Sequence, residues 1–171
     1  MSCTKFVIDS NILMNSKNSY YAFDLLPQFW DILRQHILDG NILVIDKVLQ
    51  EILVGEDELT RWIKTIPSDV IYSTRSGNVI KGYQKVINRV ASSGYYKTLA
   101  VAEWSQEKIA DPWIIAVASL EKATIVTSEN RISNLKDGNP KKNAKIPDIA
   151  DEFNIQTIDL FQMMRELHFK L

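Results

Sequence analysis

Four acidic residues stand out by their positions: Asp9, Glu51, Asp111 and Glu129. Asp9 follows the apolar run Phe6-Val7-Ile8, and Glu129 lies just past Ala123-Thr124-Ile125-Val126-Thr127. Glu51 and Asp111 fall on helical patterns adjoining such runs. If the runs are parallel strands, all four acids can meet at one end of the sheet, where open α/β sheets bind ligands. Carboxylates gathered without lysine or arginine repel one another and hold their protons more tightly. A hard divalent cation removes that repulsion, and an all-oxygen donor set suits Mg²⁺ or Mn²⁺. With only His36, His168 and the single Cys3, a zinc centre of nitrogen and sulfur ligands has little support. Carboxylate-held metal beside an open site points to phosphate chemistry, with an activated water and neutralised phosphoryl oxygens.

Each acid also has a plainer reading. Asp9 can cap a turn. Asp111, followed by Pro112, has the pattern of a helix N-cap. Glu51 lies off the apolar stripe of its helix, as a solvated carboxylate does. Glu129 can sit idle in a loop. The functional reading rests on the set, in this order and these contexts.

The elements that must position these acids follow from apolar patterning. Phe6–Ile8, Ile42–Ile45, Val70–Tyr72, residues 123–127 and Ile155–Ile158 read as strands. Residues 27–38 carry a helical stripe of Phe29, Trp30, Leu33 and Ile37, with Gly40 just past the stop. Further helices are expected from Asp46 (as cap) to Gly55, and over about residues 57–66, 78–91 and 98–108. Others open at Asp111-Pro112 and at Ile146-Pro147-Asp148, and a last one covers 160–167. Ala116 and Ala118 would let the 111 helix lie close to a neighbour. The loop 136–145 is basic, with glycine and proline. Strands alternating with helices predict an α/β fold, a three-layer α/β/α sandwich around a mostly parallel central sheet.

At 171 residues the chain is expected to form one domain, residues 1–171, large enough for a real core. Hydrophobic residues at 46% and charged residues at 24% are ordinary globular values. A net charge of -1 means that a nucleic-acid ligand would need a local basic patch. One cysteine excludes an intrachain disulfide framework, and Lys5 and Asp9 interrupt the first apolar run, so no signal peptide is read. No apolar stretch approaches membrane-spanning length, and a cytoplasmic setting is expected.

Taken in order, these segments resemble the PIN-domain nucleases, and more closely a toxin-type PIN-like subfamily of bacteria and archaea, DUF4411-like. The segments are Phe6 to Asn11, Tyr20-Tyr21-Ala22-Phe23-Asp24 with Phe29-Trp30, and Val48 to Gly55 around Glu51. Ala110-Asp111-Pro112-Trp113, Thr124 to Glu129 and Lys145-Ile146-Pro147-Asp148 complete the series. Each motif is short; the ordered series is what is specific.

The resemblance implies a compact sandwich with an acidic pocket for Mg²⁺ or Mn²⁺. It assigns Asp9 to the first strand's acid, Glu51 to the helix after the second strand, and Asp111 to the helix before the fourth. The family's fourth acid, usually Asp, is matched by Glu129, one methylene longer, with Asp148 as substitute. Asp9, Asp111 and Glu129 would hold metal while Glu51 positions the metal or its water. Asn11 and Ser10 would support the site, as would the Thr127 and Ser128 hydroxyls. The implied reaction is hydrolysis of RNA phosphodiesters, by the toxin of a toxin–antitoxin pair, with an antitoxin whose tail enters the acidic groove and with a homodimer. Lys17, Lys47, Lys136, Lys141, Lys142 and Lys145 are candidates for phosphate contacts, against an ordinary role as solvated lysines. Tyr20, Tyr21 and Trp113 could stack bases, although aromatics among apolar residues more often build core.

Two other classes remain open. A phosphatase of the haloacid-dehalogenase type also starts with an acid after an apolar strand, but it needs a second Asp where Asn11 stands. A PIN-like scaffold without cleavage, serving as an RNA- or protein-binding module, is the other; Glu129 leaves room for it.

Overall fold

The computed structural model describes residues 4–171, so Cys3 lies outside the described residues. Its centre is a four-stranded sheet of β1 (Phe6–Ile8), β2 (Ile42–Leu43), β3 (Thr124–Val126) and β4 (Thr157–Ile158), in the order β2-β1-β3-β4. Every ladder is parallel, with Phe6 opposite Ile42 and Thr124, and Val126 opposite Ile158. Parallel strands require crossovers, and helices supply them, which gives the expected three-layer sandwich. β1 and β3 are buried along their whole length, as continuous apolar runs in a covered sheet should be.

The connections differ from the sequence reading in ways that bear on the site. Directly after β1 the chain winds into α1 (Ser10–Asn15), continued by a wider π-type turn over Ser16–Tyr20. The polar run from Asn15 to Ser19 gave no periodic signal for it. α2 spans Pro27–Leu38 with Phe29, Trp30, Leu33 and Ile37 buried, and the chain leaves it through Gly40 at φ +74°, a left-handed position that favours glycine. α3 (Asp46–Leu53) follows β2, then α4 (Glu58–Ile63), capped by the Asp57 carboxylate accepting from Thr60 N–H at 3.0 Å.

The strand expected at Val70–Tyr72 does not form. A 3₁₀ turn occupies Ser68–Val70, and Tyr72 meets Ile45 in a single parallel bridge. The reason lies on the partner side: Asp46 already begins α3, so the neighbour leaves the sheet after one residue. Asp46 is also not a cap. It is the first residue of the helix, and its carboxylate accepts from Thr74 N–H and Oγ1 at 3.0 and 2.7 Å.

α5 (Gly77–Ser92) and α6 (Thr98–Trp104) lead to α7 (Asp111–Glu121). α7 is apolar all round, with Pro112 to Ala118 buried, which marks a helix enclosed by protein rather than one lying on a surface. It lies against β1 and β3, with α5 and α8 (Ile146–Glu152) as further neighbours. The close approach expected of its small residues is met by Gly82 of α5, where a Cβ would stand 3.3 Å from Ala116 Cβ. Gly82→Leu should therefore overpack the α5/α7 seam and cost about 1–2 kcal/mol. A thermal melt checks this, with a fall of roughly 2–4 °C per kcal/mol expected. α9 (Leu160–Glu166) follows β4. Among the described residues no helix is long and apolar enough to cross a membrane.

Candidate active site

Because all ladders are parallel, the strands end on one edge of the sheet. Asp9 leaves β1 there, its N–H still bonded to Val126 O at 3.0 Å, and Thr127 leaves β3 with its N–H bonded to Ile158 O at 3.0 Å. Their side chains meet: Thr127 Oγ1 donates to Asp9 Oδ2 at 3.0 Å. Asp9 is almost wholly buried and also caps α1, accepting from Asn11 N–H at 3.5 Å. The plain capping reading is thus true of Asp9, but it does not exhaust it. Burial pushes its carboxyl up to about 6 against the opposing pull of the Thr127 and Asn11 bonds, and Glu129 and Glu51 add repulsion.

Glu51, on α3, is not a solvated surface carboxylate. Ser10 Oγ donates to its Oε2 at 2.6 Å and Ala110 N–H to its Oε1 at 3.1 Å, so it links the start of α1 to the start of α7. Asp111 is likewise not the N-cap that its sequence context suggested. Ala110 holds that position, and Asp111 is the first helical residue. No hydrogen bond reaches its carboxylate among the described residues, and its proton affinity rises to about 8. Burial is the main cause, followed by repulsion from Asp9, Glu129 and Glu51, with Lys145 opposing.

Glu129 is held at both oxygens: Lys145 Nζ donates to Oε1 at 2.8 Å and Ile146 N–H to Oε2 at 2.8 Å. Its own N–H donates to Thr127 Oγ1 at 3.2 Å. The pairing with Glu129 is the main reason the Lys145 ammonium holds its proton more firmly than usual. Asp148 faces elsewhere. It accepts from Ile132 N–H at 3.2–3.3 Å and lines a separate hollow with Arg131 and Asp151, and Lys145 rather than Asp148 occupies the cap of α8.

Glu51, Asp111 and Glu129 line a cleft of about 460 Å³ with Ser10, Asn11 and Lys145. Its further wall is built from Glu103 and Trp104 of α6, Ile109, Asn143 and Ala144. No local pattern in the sequence marks these wall residues, because the contact that places them is long-range: the Tyr96–Lys141 bridge ties the basic loop to the approach of α6. Ser128 stands at the rim, exposed, accepting from Asn15 Nδ2 at 3.3 Å.

The other lysines are dispersed. Lys17 pairs with Asp57, and Lys141 with Asp137 at 2.8 Å. Lys47 is only 7% exposed, pairs with Glu107 at 2.9 Å and lies over the Trp113 ring, which itself stacks on Tyr83. Lys136 lies over the Tyr95 ring, and Lys142 is exposed. Tyr21 is core, stacked on Phe29, whereas Tyr20 is exposed.

Among the described residues no three acids, histidines or cysteines are already drawn together as a formed metal centre. The donor chemistry nonetheless fits a hard cation. Asp9 and Asp111 are oxygen donors whose charge is disfavoured where they stand, and among the described residues neither forms a salt bridge with a basic side chain.

The model of a protein family described as "Domain of unknown function (DUF4411)" matches residues 6–171. No curated protein matches the chain. Among solved structures, a chain in the crystal structure of VapBC2 from Rickettsia felis bound to a DNA fragment from their promoter superposes with a TM-score of 0.53. That match has 16% identity and covers 91% of this chain and 98% of the other. At such identity it shows a shared fold, the three-layer α/β/α sandwich with a mostly parallel sheet expected from the alternation of strands and helices. With the family model spanning nearly all of its length, the chain belongs to the DUF4411 family.

Proposed function

We propose that this protein is a Mg²⁺- or Mn²⁺-dependent endoribonuclease acting in the cytoplasm as the toxin of a toxin–antitoxin pair. One observation carries the reading: Asp111 lines the cleft and the buried Asp9, from a separate segment, lies near enough to repel it, with their proton affinities raised to about 8 and about 6 respectively and, among the described residues, no salt bridge to either. Buried carboxylates in that condition accept a divalent cation in place of protons. Asp9 and Asp111 would hold it. When bound, such a cation activates water and neutralises charge on a phosphodiester.

The chain's own residues do the positioning. Ser10 and Ala110 N–H fix the Glu51 carboxylate at the cleft wall, where it can orient and receive a proton from an attacking water. Thr127 fixes the rotamer of Asp9 and keeps it more acidic than burial alone would leave it. Asn11 and Ser10 line the same wall. The fold shared with the VapBC2 chain supports a toxin–antitoxin setting, in which an antitoxin segment would cover the cleft, and a homodimer belongs to the same reading.

The deciding experiment incubates purified protein with labelled single-stranded RNA and, separately, with a phosphomonoester, in Mn²⁺, Mg²⁺ or chelator. Cation-dependent endonucleolytic cutting of RNA supports the reading. Phosphate release from the monoester alone would transfer it to the phosphatase class. A binding module without cleavage has one observation in its favour, the closure of Glu129 on Lys145, and its signature is RNA retained but uncut. Thr127→Val, which keeps the shape and removes the donor to Asp9, should lower cleavage by roughly 10–100-fold, the usual effect of losing a partner of a metal-holding group. A single-turnover rate measurement checks it.

A further inference from the structure

A cleft walled by carboxylates repels the polyanion that it is proposed to cut, so something besides one metal ion must receive the phosphate. Among the described residues Lys145 is the only cationic side chain lining it. Lys17, Lys47 and Lys141 pair with acids elsewhere. The position of Lys145 is built, not incidental. Its backbone is extended at the cap of α8, the following residues Ile146 to Ala150 are buried, and Pro147 stiffens the first turn. The ammonium is held by Glu129 at 2.8 Å, yet the side chain is 39% exposed against 15% for Glu129. An ammonium has three donors, and one bond to Glu129 leaves two for an incoming anion.

The same contacts bear on Glu129. To join a metal it would have to give up both the ammonium and the Ile146 N–H. Leaving it where it is, the pair Glu129–Lys145 is neutral. Asp9, Glu51 and Asp111 then carry three negative charges at most, which one divalent cation brings to minus one and a second to plus one.

We propose that Lys145 is a phosphate-binding residue of this cleft, anchored by Glu129, and that the cleft therefore takes one divalent cation held by Asp9 and Asp111, with Glu129 outside the metal's ligands. The inference rests on the ribonuclease reading and names the substrate contact within it. Lys145 meets a non-bridging phosphate oxygen, and Glu129 fixes the ammonium at the height where that oxygen arrives.

The test uses the full chain and a single-stranded 2′-O-methyl oligoribonucleotide, which binds but is not cut. Mn²⁺ stoichiometry is read by calorimetry, and oligonucleotide affinity is read by anisotropy over a series of salt concentrations. One Mn²⁺ per chain is expected, retained within about threefold in Glu129→Gln and lost in Asp9→Asn. Lys145→Met should weaken the oligonucleotide about tenfold and reduce the slope of log affinity against log salt by about one, as loss of a phosphate contact does. Lys145→Arg should keep the slope. Two Mn²⁺ per chain falling to one in Glu129→Gln would overturn the metal assignment, and an unchanged affinity and slope in Lys145→Met would overturn the phosphate contact. Failure of the parent reading looks different: wild-type protein that binds the oligonucleotide, with the Lys145 effects intact, but never cuts cleavable RNA.

Discussion

Asp9→Asn should reduce Mn²⁺-dependent RNA cleavage by at least roughly 10²–10³-fold, the scale on which a single preorganised electrostatic group acts in a closed site. The substitution isolates charge from shape. Asparagine is as good a helix cap as aspartate, so the start of α1 keeps its first bonds. Its one amide oxygen keeps the cap bond that Asp9 Oδ1 accepts from Asn11 N–H, while its amide NH₂ takes the place of Oδ2 and donates to Thr127 Oγ1 instead of accepting from it. The variant should fold with the wild-type circular dichroism spectrum. In the absence of metal it should melt no lower than wild type, because a buried carboxylate that resists ionisation has been replaced by a neutral group. Cleavage persisting at the wild-type rate in a folded Asp9→Asn protein would remove Asp9 from the chemistry.

The second large effect concerns pH. An unfolded aspartate gives up its proton near 3.9, while in the folded protein Asp9 holds on to about 6 and Asp111 to about 8. Between those values the folded state binds more protons than the unfolded one, so stability falls as pH rises. As far as these two groups are concerned, the metal-free protein should therefore be most stable below about pH 4 and lose stability progressively up to about pH 8. The two carboxylates repel each other, so their losses overlap. At about 1.4 kcal/mol for each tenfold gain in proton affinity on folding, the two shifts sum to at most about 8 kcal/mol over the whole range, and the coupling of the pair reduces the expected change to about half of that. Melting curves in chelator from pH 5 to 8.5 measure it. Asp111→Asn should flatten most of the decline and raise the melting temperature at pH 8. Added Mn²⁺ should raise the wild-type melting temperature most at high pH, since the cation competes with the protons that these acids otherwise keep. A melting temperature that climbs steadily from pH 5 to 8.5 in chelator would contradict the strained-carboxylate account.

Much of the placement of the candidate site's residues on one edge of the sheet could be read in the sequence. The apolar runs at Phe6–Ile8 and Thr124–Val126 are buried parallel strands, and parallel strands place Asp9 and Thr127 on the same edge as a matter of geometry. The helix pattern after residue 111 places Asp111 by the same logic. What failed was local chemistry judged locally. Asp111 before Pro112 has every mark of an N-cap, yet the helix takes it as its first residue and turns its carboxylate towards other acids. Glu51 is off the apolar stripe of α3 and looked like a surface residue. Its partners, Ser10 and Ala110, are 41 and 59 positions away, beyond the reach of any periodicity argument. The absent strand at Val70–Tyr72 reflects competition for the same partner, since its neighbour had already turned into a helix. Glu129 presents the same difficulty as Glu51, because the lysine that holds it is 16 residues on, across a loop with no regular pattern.

The order of strands has a consequence for when this chain can act. β1 lies inside the sheet, between β2 and β3, and β3 in turn needs β4 at its outer side, where Thr127 meets Ile158. A nascent polypeptide halted at Glu129 would possess all four acids and neither Lys145 nor the outer strand. On the ribosome the candidate cleft therefore stays unassembled until residues near 158 have emerged, so on the proposed ribonuclease reading a message that the finished protein could cut is safe from the chain still being made on it.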